Sequence, residues 1–226
     1  MRLLKRTSFK IAIFYILWFA LDSYMYYNDR FAVVMPNFQH AIAPIDCSYL
    51  TLRESQRNSE ILDIERFRYN FSSVNCLIDK LEKGNYKGVY IKNSTGGELQ
   101  SSMLLNDYFN NNNLDFVIEN ACNSTCSFSI MVIKNAKMCH GSRMGIHLSK
   151  NNNPVREYIN KTFNLTSGTA KKLFYQMEKN ELNSKMYQDI FYKTPNDDIH
   201  FIGSKQALYN RMTKAVLNCD NYFDLN

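Results

Sequence analysis

The apolar positions between Ile61 and Leu217 change period repeatedly along the chain. From Glu65 to Asn70 polar and aromatic residues alternate, with Phe67 and Tyr69 on one side, which is the pattern of a half-buried strand. Ser72 to Lys83 shifts to a helical period that places Val74, Leu77, Ile78 and Leu81 on one face. Gly88 to Lys92 is again β-rich. Gly96-Gly97 interrupts the chain before a helical stretch carrying Leu99, Met103, Leu104 and Phe109, which Asn110 to Asn113 should end; Phe116-Val117-Ile118 gives the next strand. A helix is expected from past Cys122 through Val132, with short strands near Lys137 to Met138 and Met144 to Ile146. A largely helical stretch then runs from Val155 to Ile190, stopped by Pro195, and a strand over Ile199 to Ile202 leads into a helix from Ser204 to Met212. Alternating strands and helices of this kind predict an α/β fold with right-handed crossovers and a mostly parallel sheet flanked by helices.

Ahead of this region the pattern is different. Arg2, Lys5, Arg6 and Lys10 precede an unbroken apolar run from Ile11 to Leu21, the order of a positive and then a hydrophobic region in an export signal. The run is shorter than the roughly 20 residues a membrane span needs, although Tyr24 to Tyr27 extend it past Asp22. Ala41-Ile42-Ala43 has cleavage-site chemistry but lies far downstream, so residues 1–29 are read as a signal peptide or signal anchor, with the anchor preferred. The positive charges then place the remainder on the far side of the membrane, in a periplasmic or cell-surface location. Residues 30–60 have weak periodicity and read as a connecting segment, leaving 61–226 as one α/β domain, a size consistent with a single core.

Charge and cysteine content narrow the classes. The formal net charge is +6, but Lys171, Lys172, Lys179 and Lys185 alternate with Glu178, Glu181 and Asp189, as on a solvated helix face rather than along a phosphate-tracking groove. Nucleic acid is therefore not an expected partner. Six cysteines, Cys47, Cys76, Cys122, Cys126, Cys139 and Cys219, fit three disulfides in an oxidising compartment, with the connectivity open. No CxxC occurs and His40, His140, His147 and His200 are scattered, so no metal site is expected. The sequons at Asn93 and Asn123 fall in the segments that carry the candidate chemistry, which argues against a glycosylating host.

Two turns carry that chemistry. In Asn93-Ser94-Thr95-Gly96-Gly97 the paired glycines let the backbone approach a ligand closely. In Glu119-Asn120-Ala121-Cys122-Asn123-Ser124-Thr125-Cys126 a hydroxyl sits at the start of a helix, where the following N–H is free of intrahelical bonding. Donors from the two turns converging on a developing oxyanion are what acyl transfer needs.

The order strand, Ser-x-Gly-Gly turn, helix, strand, serine turn, helix and a strand ending Gly145-Ile146-His147 resembles the Clp protease proteolytic subunit and the wider Clp-protease/crotonase superfamily. In more detail it looks like the exported bacterial branch with a Cys-x-Ser-x-Cys nucleophile turn, and the resemblance covers roughly Ile61 to Leu217. It implies a fold of repeated ββα units, with Ser124 as nucleophile, His147 as general base, and the N–H groups of Gly97 and Thr125 as oxyanion hole. It also implies an acid on the Thr194 to Phe201 loop, where Asp198 fits better than Asp197. The chain departs from the family where Thr95 stands for the usual proline and Thr125 for the usual small residue. Crotonase-type acyl-CoA chemistry fits an exported chain poorly.

The expected activity is thus that of an extracytoplasmic serine hydrolase, a peptidase by resemblance, needing no cofactor. The competing reading is a catalytically silent Clp-like module for binding or assembly at the membrane. Ser124 serves equally as a helix N-cap, His147 as a strand-end histidine, and Asp198 as a turn residue. Cys122 and Cys126 bridge locally, staple separate elements such as Cys139, or stay reduced. The expected partners are a peptide or protein substrate, the membrane through the N-terminal segment, and further copies of the chain through the 155–190 helical region, in a small oligomer.

Overall fold

Strand β2 (Ile61–Tyr69) buries Leu62 and Ile64, then after a break in the alternation Phe67 and Tyr69. Strand β3 (Gly88–Gly97) repeats this, burying Val89 and Ile91 and then Ser94 and Gly96. The β2–β3 register shifts between Phe67 and Arg68, and the β3–β4 register between Ile91 and Asn93. Such bulges bend the strands and re-aim their side chains. The bend matters because strand β4 (Asp115–Asn123) pairs through Phe116–Ile118 with β5 (Ala136–Cys139) and through Ala121–Asn123 with β6 (Arg143–Ile146). The sheet therefore forks along β4.

The computed structural model describes residues 47, 50, 52–54, 59–147, 168–195 and 197–219. The proposed signal or anchor segment, most of the connecting segment and the first part of the 155–190 helical stretch lie outside these residues. Among the described residues no helix is long and apolar enough to cross a membrane. The described part of the 30–60 segment includes strand β1 (Leu52–Glu54), paired antiparallel with Leu62–Ile64. Cys47 is bridged to Cys76, further tying this segment to the domain.

The main path of the eight-stranded sheet is β1-β2-β3-β4-β5-β8, where β8 is Val216–Leu217; β7 (His200–Gly203) joins antiparallel to β6. The fold is thus mixed α/β with a mostly parallel sheet and flanking helices. Crossovers from β2 to β3 to β4 to β5 all step in one direction, so a common right hand puts their helices on one face. These are α1 (Phe71–Lys83), α2 (Leu99–Asn112) and α3 (Thr125–Val132), and α1 packs on α2 and α2 on α3. Asn70 caps α1 by accepting the Ser73 N–H at 2.8 Å, and Val74, Leu77 and Leu81 enter the core as the period predicts.

Several boundaries differ from the sequence expectation. β3 runs on through Gly97 instead of turning at Asn93, and Leu105, not Leu104, faces the core of α2; Leu104 is 40% exposed. Asn110 to Asn112 continue α2, and the left-handed Asn113 (φ 53°) ends it. Asn110 is retained in the helix because its amide donates to Val132 O at 3.2 Å and its Oδ1 accepts the Lys134 N–H at 2.8 Å. The described part of the long helical stretch breaks into α4 (Gly168–Lys179) and α5 (Ser184–Lys193), with Asn183 capping α5 through the Met186 N–H. The last helix among the described residues, α6, is shorter than expected, at Ser204–Tyr209.

All eight residues of α3 are buried. An element buried on every side is central, and α3 is covered by an aromatic cluster in which Phe128 lies 4.9 Å from Tyr187 and 5.7 Å from both Phe174 and Phe191. The rigid centre of the domain is thus the helix that begins next to Ser124.

Candidate active site

Ser124 stands between the last residue of β4 and the first of α3, with φ 53° and ψ −123°. That region is open to glycine and strained for any residue with a Cβ. It is also not the extended conformation of a capping serine, and the Ser124 side chain makes no capping hydrogen bond. The N-cap alternative for this side chain is therefore not what the structure contains. The chain thus makes a sharp elbow from strand to helix with a serine at its apex.

The elbow is held from several directions. The Ser124 N–H donates to Gly145 O at 2.7 Å, tying it to the end of β6. Its carbonyl accepts the Ser127 N–H at 2.9 Å and the Ser127 hydroxyl at 2.5 Å, and Ser127 Oγ also bonds the Tyr187 hydroxyl of α5 at 2.5 Å in the core. Burial pushes the Tyr187 phenol far above its ordinary range, the bond to Ser127 acting weakly the other way, so it stays neutral. Cys122 and Cys126 form a disulfide across the serine, which resolves the local-bridge alternative; the other bridges are Cys47–Cys76 and Cys139–Cys219.

The glycine-bearing end of β3 approaches this elbow, with the two glycines doing different things. Gly96 (φ 81°) abuts the serine: a Cβ there would lie 2.5 Å from Asn123 O, 2.6 Å from Ser124 Cβ and 3.0 Å from Thr125 N. Gly97 (φ 144°) instead lies against β2, where a Cβ would meet Tyr69 O at 2.0 Å. Thr125 is buried, and its hydroxyl donates to Gly97 O at 2.6 Å, joining the two turns; as the first helical residue its N–H has no intrahelical acceptor. The unusual threonine after the serine thus has a structural partner.

His147 directly follows β6, and Asp198 shortly precedes β7. β4 and β6 run parallel with Asn123 opposite Gly145, while β6 and β7 run antiparallel with Ile146 opposite His200. The end of β4, the end of β6 and the start of β7 therefore meet at one end of the forked sheet, bringing the backbones of Ser124, His147 and Asp198 to the same place. His147 is half-buried; Asp198 is exposed, and its Oδ1 accepts the N–H of Ile199 at 2.8 Å. Gly145 completes the junction, since a Cβ there would strike Asn123 Oδ1 at 2.6 Å and Ile199 Cγ2 at 2.7 Å. Among the described residues no group of His, Cys, Asp or Glu side chains is arranged to hold a metal ion.

Ser127 and Tyr187 are not among the residues the sequence singles out, and Gly96 and Gly145 enter it only within the Gly96-Gly97 and Gly145-Ile146-His147 motifs, not as contacts of the serine elbow. The Ser127–Tyr187 bond spans 60 residues, and no local signal announces it.

Fold and turn together define an α/β domain with a strained serine elbow at the carboxyl end of a parallel strand. No protein-family model matches the sequence, and no curated protein matches it. Among solved structures the chain is similar to a mutant of the 1510-N membrane-bound stomatin-specific protease, at 12% identity and a TM-score of 0.46, over 69% of this chain and 77% of that one.

Proposed function

We propose that this domain is a serine hydrolase of the Clp-protease/crotonase type, cleaving peptide bonds outside the cytoplasm. Ser124 is the nucleophile, His147 the general base and Asp198 the carboxylate that orients the imidazole. The observation that carries the reading is the elbow: a serine with φ 53° whose side chain does not cap the helix it precedes. Strain of this kind persists only where the surroundings impose it, and it clusters at functional sites.

In this mechanism the Ser124 oxygen attacks the substrate carbonyl carbon as its proton passes to His147. The tetrahedral oxyanion takes hydrogen bonds from the Thr125 and Gly97 N–H groups. Collapse expels the amine, which receives the proton from His147, and water then repeats the sequence on the acyl-enzyme. The three disulfides support an oxidising, extracytoplasmic setting. The N-terminal segment anchors the domain to the membrane in this reading, and the α4–α5 pair, with Tyr175 68% exposed on α4, mediates self-association.

The silent-module reading keeps one observation of its own, the exposed Asp198 carboxylate engaged by a local backbone N–H. Fluorophosphonate labelling separates the two. Labelling of the oxidised full chain that disappears in Ser124→Ala and His147→Ala is expected; a folded chain that stays unlabelled refutes the hydrolase.

A further inference from the structure

The Cys122–Cys126 bridge closes a ring with Ser124 at its centre, the two Cα atoms 5.1 Å apart. Both cysteines are fully buried. Ordinary structural bridges join distant parts of a chain, as Cys139–Cys219 does across 80 positions, whereas this one spans 4. So short a closure restricts the unfolded chain least of the three bridges, and stabilisation accounts for it less well than for the longer two. What the ring does contain is both backbone torsions of Ser124, at values that only glycine adopts without strain.

The hydrogen bonds around the elbow hold its flanks: Ser124 N–H to Gly145 O, the Ser127 donors to Ser124 O, and the Thr125 hydroxyl to Gly97 O. Each breaks and reforms thermally. The disulfide is the covalent restraint that acts across the Cα of the serine itself.

We propose that the Cys122–Cys126 disulfide is a positioning element that clamps Ser124 in its strained backbone conformation. The function of this clamp rests on the hydrolase reading, but its effect on the backbone does not. Removing the bridge lets the serine relax toward an ordinary helix-start geometry, so its hydroxyl leaves the attacking position while the neighbouring backbone, held by its own hydrogen bonds, is kept.

The test uses the oxidised full chain and its Cys122→Ala/Cys126→Ala variant, with Cys47→Ala/Cys76→Ala as the control bridge. For a fluorophosphonate probe the maximal inactivation rate is expected to fall at least tenfold in the first variant at unchanged probe affinity, and to hold in the control. Equal inactivation rates in a folded 122/126 variant overturn the proposal. A second readout needs no reactivity: Ser124→Gly raises the urea midpoint when the bridge is present and lowers it slightly when the bridge is absent, because there is then no strain left to relieve and only glycine's extra freedom in the unfolded chain remains. If the wild type is never labelled, the hydrolase falls, and the clamp stands or falls on this coupling alone. The same gain from Ser124→Gly with and without the bridge overturns it, as does a 122/126 variant that fails to fold, since the bridge then serves the whole domain.

Discussion

Removing the three disulfides one at a time should produce a ranking set by chain topology. The bridges span sequence separations of 80 for Cys139–Cys219, 29 for Cys47–Cys76 and 4 for Cys122–Cys126. The loop-closure entropy they remove from the unfolded chain corresponds to about 4.5, about 3.7 and about 2 kcal/mol at 25 °C. Burial of sulfur is comparable at the longest and shortest bridges, since all four of those cysteines are buried. Their difference of about 2.5 kcal/mol is therefore topological. Paired alanine variants unfolded in urea under oxidising conditions read it directly: with a slope of about 2 kcal/mol per molar, the two midpoints should differ by roughly 1 M. Labelling of Ser124 should follow the opposite order, with the bridge that matters least to stability mattering most to reactivity. Midpoints of the 139/219 and 122/126 variants that coincide, or fall in the reverse order, refute the chain-entropy reasoning.

Two further outcomes follow from the same geometry. Ser124→Gly should stabilise the bridged protein by about 1 kcal/mol, the relief of a strained residue less the added freedom of glycine when unfolded, while abolishing labelling; an unchanged urea midpoint refutes the strain. Stability should also fall at alkaline pH. Burial raises the phenol pKa values of Tyr69 and Tyr187 well above the ordinary 10, so their contribution is complete below about pH 10 and is lost as pH climbs toward the folded values, by about 1.4 kcal/mol per pH unit for each ring. Tyr187→Phe should remove one share of that slope and, by leaving Ser127 without its phenolic partner, cost about 1 kcal/mol at neutral pH; an unaltered slope above pH 10 refutes the assignment.

The parts of the fold legible in sequence were those where one face is wet. α1 declared itself because Val74, Leu77 and Leu81 alternate with Asp79, Lys80 and Lys83 at a helical period. The second half of β2 was readable for the same reason, its exposed arginines flanking Phe67 and Tyr69. The first half hid because Ile61 and Leu62 are both buried, so adjacent apolar residues break the alternation. Gly96-Gly97 resembled a turn because its composition is that of a turn, yet the chain remains extended there, paired with Arg68 and Tyr69. The serine elbow was found from its position between strand and helix, but its strain is a backbone torsion that no residue pattern encodes. That Ser124, His147 and Asp198 share one end of the sheet depends on the fork in β4, and a fork is a matter of pairing between segments far apart in the chain.

The last strand carries a consequence for how the chain survives its own synthesis. β8 is only two residues long and pairs with β5 through Met138–Val216 and Cys139–Leu217, and the Cys139–Cys219 bond fastens it there. So short a strand has little hold of its own, and without it β5 becomes the open border of a parallel sheet, with unmatched backbone donors and acceptors ready to pair with another molecule. The disulfide thus acts as a latch on a sticky edge. Newly made chains should be most prone to clump in the interval before that latch closes, so the timing of oxidation governs their solubility as well as their final stability.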